Sequence, residues 1–216
     1  MQYPSVIVAA GSIPAEDNFY RPLITQAPRR IAADAGLRVF FRLDILPDLV
    51  VGDADSVAEL EWNWALQHQV EIRKFPTDKD ATDTQLALEI LIEQGEPRII
   101  LLGGIGNRLD HTLANLYLLN YAYERGVVLT MIHPQHEIEL VTPEHAVTLH
   151  GTPGDLVSLL TLTDTLEGVQ MEGLRWNVAS GSLRRGSSMG ISNYLVQSTA
   201  KITTQKGLAF VMKVKE

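Results

Sequence analysis

Three places in this chain gather acidic residues with the spacing that metal and phosphate chemistry needs. Asp53 and Asp55 stand two residues apart, directly after the apolar run Leu49–Val51. In extended backbone, residues i and i+2 point to the same side, so both carboxylates can face one cation. A solvated turn with Asp55 or Ser56 as the N-cap of the next helix accounts for the same residues. The second group is Pro76-Thr77-Asp78-Lys79-Asp80-Ala81-Thr82-Asp83. Asp80 or Thr82 can cap the helix that follows, and Asp83 suits its positive end. Capping leaves Lys79 and the remaining carboxylates unexplained. Carboxylates that hold Mg²⁺ beside a lysine that neutralises phosphate oxygens would explain them.

The third group is Gly103-Gly104-Ile105-Gly106-Asn107-Arg108-Leu109-Asp110-His111, with Asn115 one turn further on. Glycines after a strand let backbone approach a phosphate, and Arg108 can pair with its oxygens through two parallel bonds. The run does not end in Gly-Lys-Ser/Thr, so it is not a Walker A loop. Leu109 also stops it from completing Gly-x-Gly-x-x-Gly. His111 reads as a hydrogen-bonding residue at a helix start rather than as a catalytic base. Gly186-Ser187-Ser188-Met189-Gly190 matches the hydrolase elbow, but its surroundings are β-rich and no helix follows. His133-Pro134-Gln135-His136 has metal-like spacing yet sits at a domain junction, and Trp62 and Trp64 fall on different helix faces.

These groups need a scaffold, and the periodicity supplies one. Apolar runs at 6–10, 49–51, 71–75, 99–102 and 127–132 read as strands. Helical patterns lie between them at 37–42, 57–69, 82–94 and 110–125, the third ending at Gly95 with Pro97 beyond. Such alternation predicts a Rossmann-like, mainly parallel sheet with flanking helices. Beyond about His133, β-rich runs at 137–141, 146–150, 156–162, 169–176, 194–198, 201–204 and 208–213 are punctuated by Pro and Gly. They predict an antiparallel β-sandwich. The expected division is an α/β domain over 1–133 and a β domain over 134–216.

The 216 residues carry a net charge of −8, and 45% of them are hydrophobic. That balance excludes a general nucleic-acid binder or a protein of anionic membrane surfaces. Absence of Cys excludes disulfides and thiol nucleophiles. No apolar stretch approaches the roughly 18 residues of a membrane span. The opening residues lack the pattern of a signal peptide, so a soluble, cytoplasmic protein is expected.

In order and spacing, Gly52-Asp53-Ala54-Asp55-Ser56, Asp78-Lys79-Asp80-Ala81-Thr82-Asp83 and the segment from Gly106 to Asn115 resemble the thiamine pyrophosphokinase family. Asp34-Ala35-Gly36 resembles that family's earlier Asp-Gly-Gly turn, with Ala35 in place of the first Gly. Gly190-Ile191-Ser192-Asn193 resembles its late Gly-x-Ser-Asn element. The resemblance implies Mg²⁺-dependent transfer of pyrophosphate from ATP to the hydroxyl of thiamine, with release of AMP. It further implies a homodimer with its sites at the subunit interface. On the same basis Asp53, Asp55, Asp80 and Asp83 serve catalysis and the metal. Asp34, Lys79, Arg108, Asp110, His111 and Asn115 serve ATP. Ser192 and Asn193 serve thiamine, with Trp176 or Tyr194 near its ring. The alternatives are a pyrophosphokinase for another heterocyclic alcohol, such as a hydroxymethylpterin, or a binding protein without turnover.

Overall fold

The computed structural model describes residues 3–52, 56–75, 80–178 and 181–215. The chain divides into two compact units, Met1–His133 and Pro134–Glu216.

The first unit alternates strands and helices. β1 (Ser5–Val8) leads through α1 (Asp17–Thr25) to β2 (Arg30–Ala33). A 3-10 turn over Asp34–Gly36 then runs into α2 (Leu37–Leu43). β3 (Leu49–Val51), α3 (Glu59–Gln67), β4 (Glu71–Arg73), α4 (Asp83–Glu93), β5 (Arg98–Leu102), α5 (Leu109–Tyr123) and β6 (Val128–His133) follow. Within this unit the strands lie in the order β6-β5-β1-β2-β3-β4, and all five pairings are parallel. Every residue of β1 and β3 is buried, as expected where helices cover both faces of a sheet. The chain winds outward from β1 to β4, then returns to the other side of β1 with β5. The order therefore reverses between β1 and β5.

Local signals explain the helix ends. Thr82 caps α4 by accepting the Gln85 amide at 3.2 Å. At its far end Gly95, at φ +79°, lets the Glu96 amide bond to the Leu91 carbonyl and its own amide bond to that of Ile92, a Schellman close. The sequence pattern did not show α1, because Pro22 interrupts it. The helix forms regardless because Tyr20 and Ile24, one turn apart, are both buried. They pack in a core with Val6, Val8, Phe40 and Leu43.

In the second unit, β7 (His136–Val141), β8 (Val147–His150), β9 (Leu156–Thr161), β10 (Thr165–Glu167) and β11 (Gln170–Glu172) come first. β12 (Ser182–Arg184), β13 (Asn193–Tyr194), β14 (Thr199–Thr203) and β15 (Ala209–Val214) complete it. The antiparallel sets are β13-β9-β15-β7, β11-β14-β8 and the pair β10-β12. Alternating side chains meet between them: Val157, Leu159 and Val211 from the first set, Leu149, Met171 and Ile202 from the second, Leu166 and Leu183 from the third. This is the expected sandwich. The short strands β10 and β12 are too brief for the sequence pattern to reveal. Among the described residues of the chain, no helix is long and apolar enough to cross a membrane.

Tyr20 is 1% exposed, and its hydroxyl has no hydrogen-bond partner among the described residues. Burial, reinforced by the charge of Glu16, pushes its pKa from 10.0 up to about 12. The folded state thus resists ionisation, and the stability this protects is lost as pH rises from 10 through 12. Tyr20→Phe should change stability at pH 7 by less than about 1 kcal/mol, since no bond is broken. At pH 11, midway through that window, the variant should have gained about 1.4 kcal/mol over the parent. Urea unfolding at pH 7 and pH 11 checks both statements.

Candidate active site

The carboxyl ends of β1, β2 and β5 open onto a cleft of about 670 Å³ within the first unit. It lies where the strand order reverses, the position at which doubly wound sheets take ligands. The strand ends are tied together there. The amides of Gly11 and Ser12 donate to the carbonyls of Gly103 (2.9 Å) and Ile105 (2.7 Å). A side chain at Gly11 would run into both of those carbonyl oxygens, so the close approach depends on glycine.

The loop after β5 is held from α5. Asn115, 7% exposed, donates its side-chain amide to the Gly104 carbonyl at 2.9 Å. The Thr112 hydroxyl accepts the Gly106 amide at 3.1 Å. Asn115 therefore shapes the pocket by fixing backbone, and Thr112, absent from the sequence expectations, does the same. The starts of α4 and α5 both reach the cleft, through Thr82, Asp83 and Thr84 and through Arg108, His111 and Thr112. Unsatisfied amides at helix starts favour anions.

Asp34 and Asp83 line the same cleft. Asp34 sits at φ +52°, a left-handed conformation that Asp tolerates better than most residues. Its Oδ1 is buried and has no hydrogen-bond partner among the described residues. A strained residue with an orphaned buried oxygen is the kind of feature that gathers at functional sites. Arg108 lines the cleft and is paired with Asp110, Nη2 to Oδ2 at 2.7 Å and Nε to Oδ1 at 3.3 Å. This hydrogen-bonded pair draws the Asp110 carboxyl down to about 2 and raises Arg108 above its ordinary value. The pair stays ionised at neutral pH and dissolves only as pH falls from the usual carboxylate range through about 2. Arg38, also missed from the sequence, is a further cation on the cleft. Asp80 is exposed and does not line it. Asp53, Asp55 and Lys79 fall outside the described residues. Among those described, no three acidic or histidine side chains form a metal-binding group.

In the second unit, Asn193 is 7% exposed and clasps Trp176. Its Nδ2 donates to the Trp176 carbonyl at 2.7 Å, and its Oδ1 accepts the amides of Trp176 (3.1 Å) and Tyr194 (2.9 Å). Trp176, 54% exposed, meets the Tyr194 ring edge to face at 5.2 Å. Ser192 takes φ +60° and donates its amide to the Ser158 hydroxyl at 3.2 Å. Gly190 has no room for a side chain against the Leu159 carbonyl. The late motif thus builds a rigid support beneath the exposed Trp176 and the partly buried Tyr194.

Fold and site together define a doubly wound α/β unit, with a polar cleft at its switch point, followed by a β-sandwich. Comparison with known proteins narrows this class. The model of the thiamin pyrophosphokinase catalytic domain matches residues 20–131, and that of the thiamin pyrophosphokinase vitamin B1 binding domain matches residues 135–209. The chain belongs to the thiamin pyrophosphokinase family. It is 26% identical to a thiamine pyrophosphokinase of Bacillus subtilis (strain 168) over 184 residues, 85% of this chain and 86% of the relative. It is 24% identical to thiamine pyrophosphokinase 1 of Oryza sativa subsp. japonica, over 91% of this chain and 83% of that one. Among solved structures, thiamine pyrophosphokinase from Bacillus subtilis superposes with a TM-score of 0.87 at 24% identity over 99% of both chains. Thiamin pyrophosphokinase from Candida albicans gives 0.79 at 14% identity, over 99% of this chain and 90% of that one.

Removing the Asn193 side chain strips three backbone groups of their partner. Asn193→Ala should cost about 2 kcal/mol, given partial rescue by water at the half-exposed Trp176. That corresponds to a fall in Tm of about 4–8 °C for a chain of this size. Thermal unfolding followed by near-UV circular dichroism measures it, and an unchanged Tm would show that the clasp bears no load.

Proposed function

We propose that this protein is an ATP-dependent thiamine pyrophosphokinase. The observation that carries the reading is the polar cleft at the β1–β5 switch point, lined by Asp34, Asp83 and Arg108, in a chain of this family. The names of its relatives supply the acceptor, and the glycine loop and helix starts that line the cleft suit a nucleotide's phosphates. Its volume falls within the range of small-molecule sites.

Mg²⁺ takes hard oxygen ligands and keeps several waters, so a few carboxylates on an open cleft suffice to hold it. Asp34, with its unpartnered buried oxygen, and Asp83 fit such an ion. Asp53 and Asp55, with their i, i+2 spacing, complete the proposed set, and Asp80, outside the cleft lining, would act on the ion through its bound waters. A bound Mg²⁺ would supply charge neutralisation and orientation of the triphosphate.

The reaction forms a bond from the hydroxyl oxygen of thiamine to the β-phosphorus and breaks the bond from that phosphorus to the bridging oxygen of AMP. The hydroxyl proton is released. Such a transfer asks the protein for positioning and electrostatics rather than covalent help. Lys79 and Arg108 meet phosphate charge. Asp110 sets the orientation of Arg108, and Asn115 holds the glycine loop. His111, which lines the cleft, would meet the nucleotide there. On the second unit Trp176 and Tyr194 offer ring faces to the heterocycle, beside Ser192 and with Asn193 fixing Trp176. The first unit is thus the nucleotide-binding catalytic part and the second the thiamine-binding part.

Purified protein given Mg-ATP and thiamine should form AMP and thiamine diphosphate in equal amounts, and excess EDTA should stop both. AMP formed only with another heterocyclic alcohol would reassign the acceptor, and Mg-ATP binding without AMP would leave a binding protein. Asp34→Asn keeps the size and tolerates the positive φ, but removes the charge. A fall in kcat of about 10²–10³ is expected with the fold intact.

A homodimer with its sites at the subunit interface is part of the same reading, supported by the family resemblance. Light scattering should report twice the chain mass of 23.9 kDa. A monomer that retains full turnover would refute the shared site.

A further inference from the structure

We propose that Arg38 is a phosphate-binding residue of the cleft, its guanidinium contacting the triphosphate of the nucleotide; this rests on the reading of the cleft as an ATP site. A chain with net charge −8 needs local positive charge to hold a polyphosphate. Among the described residues, two cations line the cleft, Arg38 and Arg108. They are not equivalent. Two N–H groups on one edge of the Arg108 guanidinium are taken by Asp110, so that pair presents almost no net charge to a ligand. Arg38 makes no ion pair among the described residues. Its Nε donates to the neutral Ala35 carbonyl at 3.0 Å, and among the described residues neither terminal NH₂ group has a partner, which leaves its charge whole. A guanidinium latched through Nε presents a planar end that matches two phosphate oxygens.

The support beneath Arg38 is rigid. Ala35 is buried in the turn Asp34–Gly36, and a side chain at Gly36 would run into the Val8 carbonyl, so this turn lies directly on β1. The same turn presents Asp34 to the cleft with its orphaned oxygen. Four positions therefore separate a carboxylate suited to a metal from a cation suited to the phosphate that the metal would bind. No other turn among the described residues at this cleft offers both charges with neither spent on the other.

Titration calorimetry with Mg-ATP on the full-length chain tests the assignment, using Arg38→Gln and Arg38→Lys. Arg38→Gln should weaken Mg-ATP binding about tenfold or more and raise the KM for ATP while leaving that for thiamine unchanged. Arg38→Lys should recover part of the affinity, because the charge remains while the planar fork is lost. The ligand-free Tm of both variants should match the parent. Unchanged Mg-ATP affinity in Arg38→Gln would overturn the role of Arg38 and leave the pyrophosphokinase reading standing. Weakened binding accompanied by a Tm several degrees lower in both variants would also overturn it, assigning Arg38 to the turn instead. Failure of the parent itself to bind Mg-ATP would remove the ATP reading and this proposal together.

Discussion

The backbone contact between the end of β1 and the end of β5 governs the rest of the first unit. Parallel strands that separate at a switch point leave a crevice, and its width is set by how closely the two loops above it can approach. Here Gly11 and Ser12 bond directly to the carbonyls of Gly103 and Ile105. No side chain fits between them. The contact fixes the path of the 103–108 loop, which in turn fixes where α5 begins. Asn115 and Thr112 then reach back from α5 to the same loop and close the circuit. A site built this way is precise because its walls are main chain, which cannot change rotamer.

Main-chain walls also settle how an acidic protein can attract an anion. The overall charge is unfavourable, but the field within a cleft is set by the nearest groups. Two helix starts supply partial positive charge, each offset in part by an acidic residue of its own first turn, Asp83 and Asp110. The side-chain cations are then left to refine specificity, and their partners decide how much charge each one offers. Arg108 is the more conspicuous residue in the sequence, since it follows the glycine loop. Its bonds to Asp110 make it a well-oriented fork of low net charge. Arg38 sits in an unremarked helix turn and keeps its charge.

That contrast marks the boundary of what the sequence made legible. Apart from β2, α1 and the short strands β10 and β12, the order of elements followed from hydrophobic period, and the two-unit texture followed from the change in that period near His133. Thr82 was one of two candidates for the α4 cap, and geometry selected it because its hydroxyl faces the Gln85 amide. α1 was hidden because Pro22 lies inside it, and only tertiary burial of Tyr20 and Ile24 justifies the helix. Asp34 could be singled out by resemblance, but its positive φ and unpartnered oxygen are properties of the folded turn. Arg38 carries no local signature, since an Arg at the second position of a short helix is ordinary until β1 and the neighbouring turn place it on a cleft. Residue types and spacings show which groups are available; they do not show which of them already satisfy one another.

Asn193 carries the same lesson into the second unit. A Gly-x-Ser-Asn run invites the reading that its polar side chains point at a ligand. The Asn193 amide instead spends its oxygen on two backbone N–H groups and its nitrogen on a carbonyl. Such a residue cannot offer its oxygen to a ligand without breaking a bond it already has, and its burial at 7% exposure makes that exchange costly. Its influence passes through Trp176, whose backbone it grips on both sides. Ser192 at φ +60° and Gly190 against β9 turn the chain so that the amide can reach. The motif therefore acts as a bracket: the Asn193 amide faces inward to hold backbone, and the exposed Trp176 ring stands beside it. A heterocycle docking there would meet rings whose orientation has been fixed in advance, so little side-chain entropy remains to be lost on binding.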